Sequence, residues 1–257
     1  MPGAAVQRIS YGSDPQQYGE LYRAAASSQA APLLRPGVAV IVHGGYWRAR
    51  YGAELGRPLA EDLAAHGVTS WNLEYRRAGN GGGWPETFED IAAGIDALAA
   101  LDLDLSAVVL IGHSAGGQLA LWAAGRSALP PEAPGAQPEV MPTAVVSQSG
   151  VLDLVAAREL RLSDDAVLNF LGASPDDPRY HWADPRQRVP VSATVWAVYG
   201  EADETVPPHF STDYVSTALA AGGRAAALAV PGDHYALIDP STEAWRSCRE
   251  LVFHELG

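Results

Sequence analysis

The sequence predicts an α/β fold, with a mainly parallel central sheet covered by helices on both faces. Several short runs are apolar at every position, among them VAVIV at residues 38–42 and AVVLI at residues 107–111. Such runs are typical of parallel strands that are buried on both faces, and longer stretches with helical spacing separate them. The chain has 257 residues, of which 47% are hydrophobic, so a sizeable core is expected.

The predicted elements alternate along the chain. Residues 54–66 predict a helix, because three leucines recur at every fourth position before a glycine stop. Residues 87–101 predict another helix, because four apolar side chains share one face. Further strands and helices are predicted at residues 68–75 (strand), 118–124 (helix), 144–147, 194–199 and 225–230 (strands) and 241–256 (helix).

Two stretches interrupt this alternation. Residues 130–142 are rich in proline and predict a loop. Residues 153–190 are rich in Asp, Pro and Arg, include a helix candidate at 154–162, and would suit a small cap over the sheet edge. We therefore expect a single domain over residues 1–257, without a second domain.

The charge of the chain excludes several classes of function. All 17 basic residues are arginine, and the formal net charge is −13. A chain without lysine has no Schiff-base lysine, no pyridoxal phosphate anchor and no Walker-type phosphate lysine. The acidic balance also argues against nucleic acid as a partner, and against a strongly anionic substrate unless Arg48, Arg76 or Arg77 reverse the field locally.

The cysteine count and the N-terminal residues lead to expectations about disulfides and cellular compartment. The single cysteine, Cys248, forms no internal disulfide and has helical spacing to apolar neighbours, so a packed thiol is expected. The start MPGAAVQRIS has no signal-peptide profile, and no apolar run reaches the length of a membrane span. A cytoplasmic protein without a membrane partner is the resulting expectation. No histidine pair has metal-ligand spacing, so no metal is expected.

The first motif that carries chemistry is G-x-S-x-G at residues 112–116, with Ser114 at its centre. An apolar strand runs directly into the motif and a helix runs out of it, which is the arrangement of a nucleophile elbow. Flanking glycines allow the tight turn on which the serine is exposed. The start of the helix supplies unpaired N–H groups near the place where an oxyanion would form.

A second glycine-rich strand end is His43-Gly44-Gly45-Tyr46-Trp47. Backbone N–H groups of Gly45 and Tyr46, together with that of Ala115, are the predicted oxyanion-hole donors. His43 is expected to hold this loop rather than act as a base, since a better base follows downstream. Trp47 fits either core packing or the pocket wall.

The acid and the base are predicted after the last two strands. Asp203 follows the strand at 194–199, and we prefer it to its neighbours Glu201 and Glu204 because of its loop position and the stiff Val-Pro that follows. His234 lies on the loop after the strand at 225–230, which completes the order Ser114, Asp203, His234. The histidines at positions 66, 181, 209 and 254 have no comparable setting.

In combination, these motifs resemble the α/β-hydrolase superfamily over residues 39–257. The HGG loop is similar to that of the hormone-sensitive-lipase-like esterases and the kynurenine formamidases, and HGGYW is the form typical of the formamidases. The E-Y-R segment that starts at Glu74 also resembles the equivalent segment of these two groups. The resemblance implies a cofactor-free serine hydrolase that acts on a small acyl compound, either an aryl formamide or an ester.

Several alternatives remain open at this point. A short-chain carboxylesterase is the main alternative to a formamidase, followed by a small peptidase of the prolyl-oligopeptidase type and a non-catalytic ligand receptor. Trp84, in the glycine-rich run at residues 80–85, would serve as a substrate platform or simply belong to a turn before a helix. Arg76 and Arg77 would bind a substrate carboxylate or pair with acidic side chains.

Overall fold

The computed structural model describes residues 6–24 and 34–257, so the first half of the N-terminal MPGAAVQRIS stretch lies outside the described residues. The described strands form one sheet of eight. Those from β3 onward agree with the predicted strands to within a few residues, whereas β1 and β2 were not predicted. The strands are β1 (Val6–Ser10), β2 (Tyr18–Tyr22), β3 (Val38–Val42), β4 (Thr69–Leu73), β5 (Val108–His113), β6 (Ala144–Gln148), β7 (Thr194–Gly200) and β8 (Ala225–Val230).

The strand order is β1-β2-β4-β3-β5-β6-β7-β8. β1 pairs with β2, and β2 with β4, in antiparallel fashion, and all other neighbours are parallel. The central strands β3 and β5 are buried at every position, as the apolar runs predicted. The predicted α/β fold with a mainly parallel sheet is therefore confirmed.

Helices join most of the strands. The first helix begins later than predicted, because a 3₁₀ turn at Ala53–Leu55 comes before it. The second is shorter, because its last turn, Ala97–Ala100, is also 3₁₀. The helices of the described residues are α1 (Arg57–Ala65), α2 (Glu86–Asp96), α3 (Ala115–Ala124), α4 (Leu154–Glu159), α5 (Leu162–Leu171), α6 (Pro178–Ala183), α7 (His209–Ala220) and α8 (Glu243–Leu256). Three of these helices, α5, α6 and α7, were not predicted.

The sheet separates two hydrophobic layers. Successive side chains of a strand point to opposite faces, so Val40 of β3 and Leu110 of β5 pack with α2 and α3 on one face. Ile41 and Val109, the next residues along the same strands, pack with α1 and α8 on the other face. This two-sided burial holds the carboxyl ends of the parallel strands in place, and the chemistry-bearing loops start there.

The helix α8 closes the second layer. Its buried side chains, which include Trp245, Cys248 and Val252, recur at helical spacing along one face. The Thr242 hydroxyl accepts a hydrogen bond from the Trp245 N–H at 3.1 Å and so caps the helix. Burial raises the pKa of the Cys248 thiol to about 12, which agrees with a packed thiol rather than a nucleophile.

The segment 153–190 contains α4, α5 and α6. The first of these begins as expected, with the Asp153 carboxylate accepting a hydrogen bond from the Ala156 N–H at 2.8 Å, but it ends at Glu159. In α5, Phe170 stacks on Trp47 with ring centroids 4.6 Å apart. Because Trp47 follows the end of β3, this segment lies beside the carboxyl edge of the sheet.

Candidate active site

Ser114 lies in a sharp turn between β5 and α3. Its φ of 54° and ψ of −119° are unusual for a residue with a side chain, and such strain is typical of functional turns. A Cβ at Gly112 would lie 2.2 Å from the Gly116 carbonyl oxygen, and one at Gly116 would lie 2.1 Å from that of Val42. Only glycine fits at both places, which explains why the turn needs glycines on either side of the serine.

The three backbone N–H groups predicted to bind an oxyanion have no acceptor among the described residues. Those of Gly45, Tyr46 and Ala115 donate no hydrogen bond to any other described residue. Gly45 has a φ of 109°, and a Cβ there would lie 2.5 Å from the Tyr51 ring. The loop therefore needs glycine at this position, and the N-terminus of α3 adds its positive dipole end beside Ser114.

The structure brings Asp203 and His234 together. His234 Nδ1 lies 2.7 Å from Asp203 Oδ2, and both side chains are buried. The other carboxylate oxygen accepts hydrogen bonds from the N–H groups of Thr205 and Val206, each at 2.9 Å. Burial by itself would raise the pKa of Asp203, but the hydrogen bonds with His234 and Val206 hold it below its usual value. The carboxylate is thus ionised and aligned with the imidazole.

Two side chains at the sheet edge hold the loop that carries His234. His113 Nε2 lies 2.9 Å from the His234 carbonyl oxygen, and Gln148 donates from Nε2 to the Leu237 carbonyl at 2.7 Å. Since a carbonyl only accepts, His113 Nε2 carries the hydrogen. Burial, followed by the nearby His234, lowers the pKa of His113 to about 3, so its ring is neutral. The sequence interpretation overlooked this role, because His113 occupies a variable place in the serine motif.

Ser114 and His234 open onto the same pocket of about 100 Å³. Tyr46 and Tyr235 contribute aromatic surface to it, and Tyr235 is 62% exposed. Most residues of the pocket wall were not predicted from the sequence, because they lie in turns that carry no motif. The lining residues are Gly45, Tyr46, Tyr51, Leu55, His113, Ser114, Thr205, His234, Tyr235 and Ile238.

His43 anchors the glycine-rich loop at residues 43–47 through contacts with Glu74 and Tyr75. Its Nε2 lies 3.2 Å from Glu74 Oε1, and its ring stacks on Tyr75 at 4.4 Å. The Tyr75 hydroxyl donates to the His43 carbonyl at 2.7 Å. Burial, and then the charge of Arg77, lower the pKa of His43 to about 3. These contacts favour an anchoring role for this neutral imidazole.

Trp47 and Trp84, the two candidate substrate contacts, both lie outside the lining of the pocket described above. Trp47 is 0% exposed, donates from Nε1 to the Gln118 side chain at 3.0 Å and packs against Phe170. Trp84 packs against Phe88 and Trp182. Neither indole lines the pocket that contains Ser114, so their placement favours packing among the helices over substrate contact.

Arg76 and Arg77, for which the sequence allowed either substrate binding or pairing with acids, both form ion pairs. Arg76 binds Asp90 through Nε and Nη2, at 2.8 and 2.7 Å. Arg77 pairs with Glu74 and also donates to the Tyr75 carbonyl. Both guanidinium groups are thereby committed to partners within the chain, which is the alternative that an acidic protein favours.

The competing acids and bases are placed differently. Glu201 and Glu204 are exposed on the loop that carries the buried Asp203. His209 is also exposed, at the start of α7. Among the described residues, no group of three or more His, Cys, Asp or Glu side chains is arranged to hold a metal ion. In the same ranges, no helix combines the length and apolarity needed to cross a membrane.

The strand order and the serine turn are those of an α/β hydrolase. Solved structures of several esterases share this fold with the chain. Esterase B from Lactobacillus rhamnosis superposes with a TM-score of 0.82 at 21% identity, over 98% of this chain and 85% of that one. Thermogutta terrifontis esterase 2 with bound propionate gives a TM-score of 0.72 at 24% identity, over 98% and 93%. A truncated carbohydrate esterase from gut microbiota gives 0.76 at 19% identity, over 98% and 96%.

The chain belongs to the BD-FAE family, an esterase family of the α/β-hydrolase superfamily, whose profile matches residues 21–218. The protein is therefore an esterase-type α/β hydrolase. No curated protein matches the sequence significantly. Since the matching family and structures are esterases, the narrower resemblance to kynurenine formamidases rests on the HGGYW sequence alone.

Proposed function

We propose that the protein hydrolyses carboxylic esters with a small acyl group, using Ser114, His234 and Asp203. The observation that carries the proposal is the buried His234–Asp203 pair at 2.7 Å, on the same pocket as a serine in a strained turn. A histidine aligned by a carboxylate is the usual activator of a serine nucleophile. The substrate is a small molecule, and the proposed chemistry proceeds with groups of this chain and water.

The proposed reaction has two halves. Ser114 Oγ attacks the carbonyl carbon while His234 Nε2 takes the hydroxyl proton, and the oxyanion accepts hydrogen bonds from the N–H groups of Gly45, Tyr46 and Ala115. The C–O bond of the ester then breaks, and His234 returns the proton to the departing alcohol. In the second half, His234 deprotonates water, which attacks the acyl carbon; the bond from that carbon to Ser114 Oγ breaks, the acid leaves, and His234 returns the proton to Oγ. Asp203 keeps the ring oriented and stabilises the imidazolium.

An aryl formamide is the second candidate substrate. The HGGYW sequence supports it, and so do Tyr46, Tyr51 and Tyr235 around the pocket, because an aromatic leaving group packs well against tyrosine rings. A formamide leaves only a formyl group on the acyl side, whereas an ester such as a butyrate needs room for a chain. The two candidates therefore differ in the space that they require next to Ser114.

Turnover by a serine variant tests the proposed chemistry. Ser114→Ala is expected to lower kcat/KM for p-nitrophenyl acetate by about 10³-fold or more, with unchanged thermal unfolding. Ser192→Ala, at an exposed serine, is the matched control and should retain activity. A phosphonate probe should modify Ser114 and no other serine in peptide mass spectra. Full turnover by the Ser114 variant would remove this proposal.

A substrate comparison separates the two candidates. The wild-type kcat/KM is measured for N-formylkynurenine and for p-nitrophenyl esters from acetate to octanoate. We expect esters to be preferred by at least tenfold. A preference of that size for the formamide would instead favour the second candidate.

A further inference from the structure

We propose that the side chains of Leu55 and Ile238 form the end wall of an acyl-chain site and restrict the protein to short linear acyl groups. This inference deepens the proposed function and depends on it. The wall is built from two 3₁₀ turns, Ala53–Leu55 and Ala236–Ile238. These turns follow β3 and β8, so they approach the serine from different parts of the sequence.

Two cavities lie one behind the other at this end of the site. The outer pocket contains Ser114 and has a volume of about 100 Å³. The inner cavity, of about 10 Å³, lies toward β3 and α1, where Ile41 and Leu59 line it. The residues that line both cavities are Leu55, His113 and Ile238. Residues that border both spaces stand between them and therefore separate the outer pocket from the inner cavity.

The chemistry of this wall suits an alkyl chain. His113 is held by its hydrogen bond to the His234 carbonyl at 2.9 Å, so the apolar side chains Leu55 and Ile238 are the adjustable parts. Both are half-buried, and the aliphatic side chains of Ile41, Val42 and Leu59 line the inner cavity together with His43, His113 and Gln148. Because the inner cavity holds only about 10 Å³, a longer chain gains room chiefly when the side chain of Leu55 or Ile238 is shortened.

The open side of the pocket distinguishes the acyl chain from the alcohol. Tyr235, next to His234, lines the pocket and is 62% exposed, so this side faces solvent. In the proposed reaction the alcohol departs before water attacks, which requires an open path. The acyl group stays bonded to Ser114 during that exchange and therefore fits the closed end, at Leu55 and Ile238.

Opening the wall should lengthen the preferred acyl chain. Leu55→Ala and Ile238→Ala each remove the branched end of a side chain and connect the two cavities. For each variant we expect the kcat/KM ratio of p-nitrophenyl hexanoate to acetate to rise about tenfold or more over wild type. Ile238→Phe fills the same space and should lower the ratio of butyrate to acetate by about tenfold.

Two controls isolate the wall. Leu59→Val enlarges only the inner cavity, since Leu59 does not line the outer pocket, and it should keep the wild-type ratios. A series of acetate esters in which only the alcohol is lengthened should show the same ratios in wild type and in the wall variants. Thermal unfolding of each variant identifies any that are misfolded, and Leu55→Ala, Ile238→Ala and Ile238→Phe act as independent tests.

The outcomes distinguish the inference from the proposed function. If the folded wall variants keep the wild-type acyl ranking while Ser114→Ala is inactive, the acyl wall is overturned and the ester hydrolase stands. A shift in the alcohol series instead of the acyl series also overturns the inference. If Ser114→Ala retains turnover, the proposed function fails, and the acyl wall fails with it.

Discussion

Two buried histidine–carboxylate pairs lie at the carboxyl edge of the same sheet, and they differ in what surrounds them. In the first, His234 lies 2.7 Å from Asp203, and its ring borders the pocket that contains Ser114. In the second, His43 lies 3.2 Å from Glu74. The carboxylate of this second pair also binds Arg77 and accepts a hydrogen bond from the Ala53 N–H at 2.8 Å.

The difference shows that burial beside a carboxylate does not by itself make a base. Glu74 divides its charge among several donors, and Arg77 opposes protonation of His43, which lowers the pKa of that imidazole after burial. Among the described residues, Asp203 has no arginine partner, so its charge acts on His234. A base needs a carboxylate that is committed to it and an open path from its ring to the nucleophile.

The largest expected effect is the difference in activity between alanine variants of His234 and His43. His234→Ala should lower kcat/KM for p-nitrophenyl acetate by at least about 10⁴-fold, because the proton acceptor is removed. His43→Ala should retain turnover within about tenfold per folded molecule and lose stability instead. Steady-state kinetics with active-site titration measures both. Loss of turnover in folded His43→Ala, together with an active His234→Ala, would reverse the assignment.

The two carboxylates should separate in the same way, with a smaller effect on rate. Asp203→Asn keeps the shape but loses the charge that orients His234, so kcat should fall by about 10² to 10⁴-fold with little change in Tm. Glu74→Gln leaves Arg77 buried without its partner and should lower the free energy of unfolding by about 3 kcal/mol. Parallel kinetics and chemical denaturation check both changes. Equal losses of rate in the two variants would contradict the comparison.

Acid should destabilise the fold through its neutral imidazoles. Unfolded histidines take up protons near pH 6.5, whereas His43 and His113 have pKa values of about 3 in the fold. Between these values the unfolded state binds more protons, so the free energy of unfolding falls as the pH drops. Each histidine contributes up to about 1.4 kcal/mol per pH unit.

Urea denaturation at pH 6.5, 5.5 and 4.5 measures this slope. His113→Gln keeps a donor but no longer titrates, so its stability should depend less steeply on pH than that of wild type. The same slope in both proteins would show that His113 takes up protons equally in the folded and unfolded states.

The smallest expected effect concerns the support of His234. His113→Phe removes the hydrogen bond to the His234 carbonyl and should lower kcat by about tenfold, since small displacements of a base slow proton transfer. His113→Gln keeps an amide donor near the same place and should recover most of the loss. Steady-state kcat for a p-nitrophenyl ester measures both. Equal rates in the Phe and Gln variants would exclude a positioning role.

Much of the architecture was predictable from the sequence, because central parallel strands are apolar at every position. β1 and β2 were missed since VQRIS and YGELY mix polar with apolar residues, and antiparallel pairing with β4 decides their conformation. The helix α7 was missed because β-branched and polar residues interrupt its apolar pattern.

The candidate site divides in the same way. Glycine-flanked turns made Ser114 and the predicted oxyanion-hole N–H groups recognisable, because sterics restrict such turns to few sequences. The pocket wall had no comparable signal, since Tyr51, Leu55 and Ile238 come from turns that only the tertiary fold brings together. The two tryptophans were ambiguous because a large aromatic residue serves equally well in a core and in a pocket.

The burial of Cys248 makes the only thiol of the chain a natural reporter. It lies in the layer between the sheet and α8, and burial raises its pKa to about 12, so a thiol reagent reacts only after that layer opens. The rate of labelling therefore follows the local detachment of α8 without any engineered label. Ile111 of β5, the strand that leads to Ser114, packs in the same layer. Comparing the labelling rate with and without a bound inhibitor would therefore show whether an occupied site slows the opening of this layer.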